Sequence, residues 1–221
     1  MDIRRMKKPE VCYWLGLAQS DGYFKKHYVE QHSKFTHVIT LSMKDLEPVV
    51  CFQRISKDFW GRDAKIHKDN RPNANSFYIT IGVSRLLKYF SNMQLDFSDP
   101  PKPPKWIAND VRLFGAYIAG IIDGDGSVKV KRPQYPQCLV KISSGSPQNE
   151  LKDTIEYLFN CRCSIMKQYR EVMLNGNLIK GTCYNLEFCV SNKNIEIFQK
   201  YVLPWIQIPR KRDKITSFLS G

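Results

Sequence analysis

Two aspartates in this chain sit in matching company. Asp125 lies near the end of Ile118-Ala119-Gly120-Ile121-Ile122-Asp123-Gly124-Asp125-Gly126, and Asp21 closes a weaker copy, Trp14-Leu15-Gly16-Leu17-Ala18-Gln19-Ser20-Asp21-Gly22, 104 positions earlier. Both runs are apolar and rich in small residues, and both stop at a glycine, the usual residue just past a helix C-terminus. Small residues recur every fourth position, Cys12, Gly16 and Ser20 in one copy and Ala116, Gly120 and Gly124 in the other, which on a helix forms a row without bulk. Two such rows let helix axes approach more closely than the usual ~8–10 Å, and the natural partner of each row is the other. Asp21 and Asp125 would then meet where the helices end. Two negative charges at two negative helix ends are a poor arrangement by themselves. A hard divalent cation that takes oxygen ligands, Mg²⁺ above all, would fill the gap.

Other chemistries fit less well. Asp-Gly-Asp-Gly could open a calcium loop, but the twelfth position from Asp123 is Gln134, where a bidentate Glu is required. The four histidines, at 27, 32, 37 and 67, have no acidic or cysteine partner at zinc-ligand spacing, and Cys161-x-Cys163 lacks a second ligand pair. A single apolar helix ending in Asp-Gly is ordinarily just a packed helix with a cap. The repeat argues otherwise here.

Ile118 to Gly126 resembles the signature of the LAGLIDADG homing endonucleases, and Trp14 to Gly22 resembles a degenerate second copy. Two copies in one chain resemble the single-chain, pseudo-dimeric members. The resemblance implies a site-specific, metal-dependent enzyme that cuts both strands of a long DNA target, with Asp21 and Asp125 holding Mg²⁺. It also implies a basic residue near the attacking water; Lys44, just after the second strand, fits in the first half. Ser143 to Ser146 has no lysine, so Lys129 is the candidate in the second. The sixth motif position is Gln19 in one copy and Asp123 in the other, which favours a structural hydrogen bond over a shared metal ligand. Relatives acting as RNA maturases on introns supply one alternative, and a DNA-binding regulator without cleavage another.

The surrounding elements repeat as well. Pro9 opens a helix running to Gly22. A hairpin follows (23–30, 35–42), then a helix over Leu46 to Trp60, a second hairpin (about 62–68, 75–83) with its turn at 70–73, and a helix over 85–93 capped by Ser84. Ser98 to Lys105 contains four prolines and predicts a stiff extended linker. The second half repeats the order: helix 109–124, hairpin 127–143, helix 146–160, hairpin 164–191 and helix 192–201, capped by Asn192 and trailed by the basic segment Arg210 to Lys214. The expected fold is therefore α+β: two pseudo-symmetric αββαββα halves, residues 1–97 and 106–221 around linker 98–105, packed through the paired motif helices.

Each sheet packs one face on helices and leaves the other for solvent or a partner. Basic and polar residues crowd the hairpins: Lys25, His27, Tyr28, His37, Arg62, Lys65, His67, Lys68 and Arg71 in the first half, and Lys129, Lys131, Arg132, Gln134, Lys141, Lys167, Gln168 and Arg170 in the second. Such ribbons suit the ~12 Å major groove of DNA, and the sheets together would form a DNA-binding saddle. Composition agrees. The 221 residues carry 34 Lys+Arg against 21 Asp+Glu, a net charge of +13 that attracts polyanions, with double-stranded DNA first, intron RNA in the maturase alternative, and no membrane. The 43% hydrophobic content supports a real core, but no apolar run approaches the ~20 residues that span a bilayer. Seven cysteines, an odd number without a secretory leader, fit free thiols inside a cell. One chain with both motifs is expected to work as a monomer.

Overall fold

The computed structural model describes residues 6–29, 34–71, 74–131, 137–174, 177–191 and 193–219, without the side chains of 29, 34, 170, 172, 174, 177 and 179. The first half runs α1 (Pro9–Ser20), β1 (Gly22–Val29), β2 (Lys34–Met43), α2 (Leu46–Trp60), β3 (Ile66–Lys68), β4 (Phe77–Gly82) and α3 (Leu87–Asn92). A short helix α4 (Lys105–Ala108) leads into α5 (Val111–Asp123), β5 (Gly126–Lys131), β6 (Gln137–Ser144), α6 (Asn149–Phe159), β7 (Cys163–Leu174), β8 (Asn177–Val190), α7 (Ile195–Ile197) and α8 (Pro209–Leu219). Each half builds one antiparallel four-stranded sheet, ordered β1-β2-β4-β3 and β5-β6-β8-β7. The architecture is the expected α+β design with two pseudo-symmetric halves.

The motif helices α1 and α5 pack together because their small-residue rows leave room. A Cβ on Gly16 would stand 2.2 Å from the Tyr117 carbonyl oxygen, and one on Gly120 would stand 2.3 Å from that of Tyr13. Around this seam the core is aromatic. Trp14 is fully buried, stacks on Phe52 at 5.0 Å and donates its indole N–H to Ser56 Oγ at 2.9 Å. Burying a ring of that size contributes about 4–6 kcal/mol, with the N–H satisfied rather than stranded.

Register sorts the strand residues by face. Phe24, Ile39, Ile79 and Ile66 pack toward the helices, so Tyr23, Lys25, His27, Thr40, Tyr78, Thr80 and His67 stand on the open face of the first sheet. In the second sheet Val128, Val140, Leu186 and Ile165 face the core, leaving Lys129, Lys131, Lys141, Asn185 and Gln168 on the open side. The hairpins differ in reach. All three pairs of β3 with β4 lie where β4 also pairs with β2. The β6 ladder on β8 stops at Tyr184, and β7 and β8 continue alone for seven more pairs, Gln168–Cys183 to Leu174–Asn177.

Several boundaries differ from expectation. The motif helices end at Ser20 and Asp123, before their glycines. Neither Gly22 nor Gly126 has positive φ; each is needed because a Cβ would strike the preceding helical turn, 2.2 Å from the Ala18 oxygen and 2.5 Å from Ile122 Cα. Helix α5 starts at Val111 because Asp110 caps it, accepting from the backbone N–H of Arg112 at 2.9 Å. Ser84 does not cap α3; its Oγ accepts the His37 N–H at 2.7 Å, tying β2 to the turn. Asn192 and turn residues 72–73 lie outside the described residues. Asn194 does the bonding at the end of β8, accepting from the Ser191 N–H at 2.8 Å and donating to the Cys189 carbonyl at 3.1 Å. The linker is packed rather than free: its Lys102 carbonyl accepts from Gln19 Nε2, as does the carbonyl of Asp96 just before the linker. The basic segment 210–214 is no tail but part of α8, with Lys211 and Ile215 buried.

Candidate active site

Asp21 and Asp125 come together where α1 and α5 end. A Cβ on Gly124 would lie 3.2 Å from Asp21 Oδ2 and 2.0 Å from Ser20 Oγ, so the small row brings the Asp21 carboxylate against the residue preceding Asp125. Both carboxyls are partly buried, and among the described residues neither accepts a hydrogen bond. Burial pushes Asp21 up to about 6, opposed by Lys211. Burial also pushes Asp125 up to about 7, with the negative charges of Asp21 and Asp99 adding to the shift and Lys211 opposing it. Burial and mutual repulsion thus outweigh Lys211 at this pair, a condition that a divalent cation relieves.

The sixth motif positions do structural work, as the sequence implies. Tyr13 donates to Asp123 Oδ2 at 2.8 Å, and Tyr117 donates to Gln19 Oε1 at 2.5 Å, so each helix supplies a phenol to the other's sixth position. Asp123 also accepts from the backbone N–H groups of Gln207 (2.7 Å) and Ile208 (3.3 Å). It is 1% exposed, and burial still raises its carboxyl to about 6 against these donors. With its oxygens turned inward to these partners, Asp123 is not a free ligand.

Sequence reasoning missed Lys211. Its side chain is only 5% exposed, and Nζ donates to the carbonyls of Ile122 (2.6 Å), Asp123 (2.8 Å) and Gly124 (3.5 Å). The ammonium thus caps the negative end of α5, where the helix dipole favours a cation. Burial pulls it down to about 8. A run of four basic residues at 210–214 looks solvated in sequence; only the apolar spacing of Ile208, Lys211 and Ile215 hints at an inward face. Arg210 pairs with Asp45 at 2.8 Å and so ties α8 to the turn after β2. Asp21, Lys44, Asp45, Arg210 and Lys211 line one cavity of about 230 Å³.

The second half is built differently. Gly22 pairs with Leu41, and Gly126 with Ile142, so the register counterpart of Lys44 is Gly145. Lys129 lies on the open face of β5 opposite Leu139 and does not line the cavity. Beside Gly145 sits Asp99 of the linker, which accepts from Ser144 Oγ at 2.5 Å.

Among the described residues no group of three or more His, Cys, Asp or Glu side chains gathers into a complete metal cage. Asp21 lines the cavity and Asp125 follows Gly124, which lines it too; such a pair suits Mg²⁺, which keeps several waters and is often held by one or two carboxylates together with substrate phosphates.

The proposed DNA contacts divide by face. Lys25, His27, His67, Lys129, Lys131, Lys141 and Gln168 stand on the open faces. Tyr28, Lys68 and Lys167 alternate to the helix side, and exposed Tyr28 packs on Phe35 at 5.1 Å. His37 is half-buried on Phe24 at 5.9 Å, and Arg62 is half-buried with no partner for its Nε among the described residues. Lys65 is exposed just before β3, while exposed Arg71 is bound to Asp69 of its own loop at 2.6 Å. Arg132, Gln134 and the Arg170 side chain lie outside the described residues. The open face adds Tyr23, the Thr40–Thr80 pair (2.9 Å) and Tyr78, stacked on His67 at 5.3 Å.

No family model matches the sequence, and no curated protein matches it. Solved structures do. A mesophilic variant of the homing endonuclease I-DmoI is 14% identical, with a TM-score of 0.58 over 88% of this chain and 95% of that one. I-DmoI in complex with DNA and calcium is 15% identical, with a TM-score of 0.57 over 93% and 96%. The homing endonuclease I-WcaI bound to its DNA recognition sequence gives 15%, 0.53, 94% and 85%, and full-length DUF199/WhiA from Thermatoga maritima gives 16%, 0.54, 97% and 60%. With two motif helices paired at its centre and one antiparallel sheet to each side, the chain has the two-motif LAGLIDADG fold.

Proposed function

We propose that this protein is a site-specific, Mg²⁺-dependent endonuclease that breaks both strands of a long, asymmetric DNA target and acts as a monomer. The observation that carries the reading is the meeting of two partly buried carboxylates, Asp21 and Asp125, with no hydrogen-bond donor among the described residues, at the junction of the two halves of a +13 chain. In hydrolysis a water oxygen bonds to phosphorus while the bond to the leaving sugar oxygen breaks; the water loses a proton and the leaving oxygen gains one. A divalent cation, when bound, would supply Lewis acidity and offset developing negative charge. Asp21 and Asp125 would hold it. Lys44, in the cavity with Asp21, would orient the water and steady the charge on phosphate. Lys211 holds the end of α5 and with it the carboxylate that follows. The homing endonuclease neighbours seen on target DNA, one in the presence of magnesium, support the same partner and ion class.

A second reading is binding without cleavage. Lys211 favours it, since an ammonium on the α5 carbonyls meets part of the need for positive charge without a metal. Incubating the protein with a library of long duplexes and Mg²⁺, then sequencing for breaks, separates the two. Double-strand breaks at one sequence support the enzyme; a sequence enriched by binding yet left intact supports the binder.

A further inference from the structure

The two halves present different chemistry at corresponding places. Lys44 follows β2 and lines the cavity with Asp21. Its register counterpart, Gly145, follows β6, and a Cβ built there would stand 2.8 Å from Asp99 Oδ2, the nearest atom to it. Asp99 Oδ1 is held by Ser144 Oγ at 2.5 Å. The strand carrying these residues is joined directly to the motif, because the Ser143 N–H donates to the Asp125 carbonyl at 3.4 Å. An exposed carboxylate from the linker therefore begins where a side chain at 145 would begin. One site has a cation in this place and the other an anion.

We propose that this exchange makes the two sites unequal, so that the strands are cut in sequence: the strand served by Asp21 and Lys44 first, and the strand served by Asp125, beside Asp99, second. The inference rests on the nuclease reading. A phosphate entering the first site meets Lys44, whereas one entering the second meets the Asp99 carboxylate in the corresponding place, and this charge opposes both its approach and the charge that builds on its oxygens during attack. Asp99 is a positioning and electrostatic residue, not a metal ligand, in this account.

A supercoiled plasmid carrying the target, with each strand followed separately, tests it. Wild type should pass through nicked circle, always cut in the same strand, before linear product. Asp99→Asn keeps an acceptor for Ser144 and removes the charge; it should speed the second strand on the order of tenfold, leave the first strand unchanged, and bind the duplex without divalent metal roughly threefold more tightly. D99A/G145K, with a lysine at the register place of Lys44, should bring the two rates together. Wild type cutting both strands at one rate, or Asp99→Asn leaving the second-strand rate as it was, would overturn the inference while the nuclease reading stands. A protein that cuts neither strand would overturn both.

Discussion

At the residue scale, Asp21 and Asp125 separate a structural role from a catalytic one. Asp21→Asn or Asp125→Asn removes a negative charge from a crowded helix end and should keep or raise thermal stability without metal. If the carboxylates hold metal, either change should still allow target binding yet lower double-strand cutting by several orders of magnitude, measured in single-turnover assays. Either variant cutting at near wild-type rate in Mg²⁺ would remove the paired-carboxylate mechanism. pH adds a second handle. Burial holds Asp21 near 6 and Asp125 near 7, above the ~3.9 of an unfolded Asp. The folded protein thus binds more protons than the unfolded chain in this window, so these groups make the metal-free protein less stable as pH rises from about 4 to about 7. Calorimetry should show Asp125→Asn melting close to wild type at pH 4 and progressively above it by pH 8. Were the gap to open the other way, the carboxylates would have found a cationic partner within the chain.

At the element scale, the paired motif helices set the site, and their glycines can be tested against one that does nothing similar. Gly120→Ala places a methyl 2.3 Å from the Tyr13 carbonyl, a backbone atom that cannot swing away, and should cost about 3 kcal/mol or more in chemical denaturation. Gly181→Ala, with nothing within 4 Å of its Cβ, should be neutral or slightly stabilising. The sequence shows such an element well when its signal is local and periodic. The small rows of α1 and α5 are visible there, and α2 spans Leu46–Trp60 as its apolar spacing predicts. Contacts between distant segments are another matter. No spacing places Asp99 beside Gly145 or Lys211 beneath α5, because those neighbours arise from how the linker and α8 pack. Open and covered strand faces were legible only where core residues alternated strictly. Past Gln168 the β7–β8 ribbon runs beyond β6, and Tyr169 (75% exposed), Met173 (64%) and Leu178 (51%) stand in solvent on its helix side, so no buried alternation marks the face.

At the scale of the whole molecule, charge governs the encounter with DNA. Each phosphate engaged by Lys or Arg releases counterions, so affinity should fall steeply as salt rises; a log K against log[salt] slope shallower than about −2 would mean that few phosphates are touched and would sink the saddle model. Sedimentation on target DNA should show one chain per duplex, and a perfect palindrome should not be the best substrate, because the open faces carry different side chains in the two halves.

The unequal hairpins give the molecule a handedness along its substrate. Seven ladder pairs beyond the sheet, at ~3.3 Å each, make an arm of about 23 Å, some seven base-pair steps at 3.4 Å. Among the described residues β3 and β4 of the first half form no such arm. A hydroxyl-radical footprint should therefore be lopsided about the cut positions, with protection running several base pairs farther on the side of the second half. Shortening the β7–β8 arm to the length of its first-half counterpart should draw that edge inward and leave the opposite edge where it was.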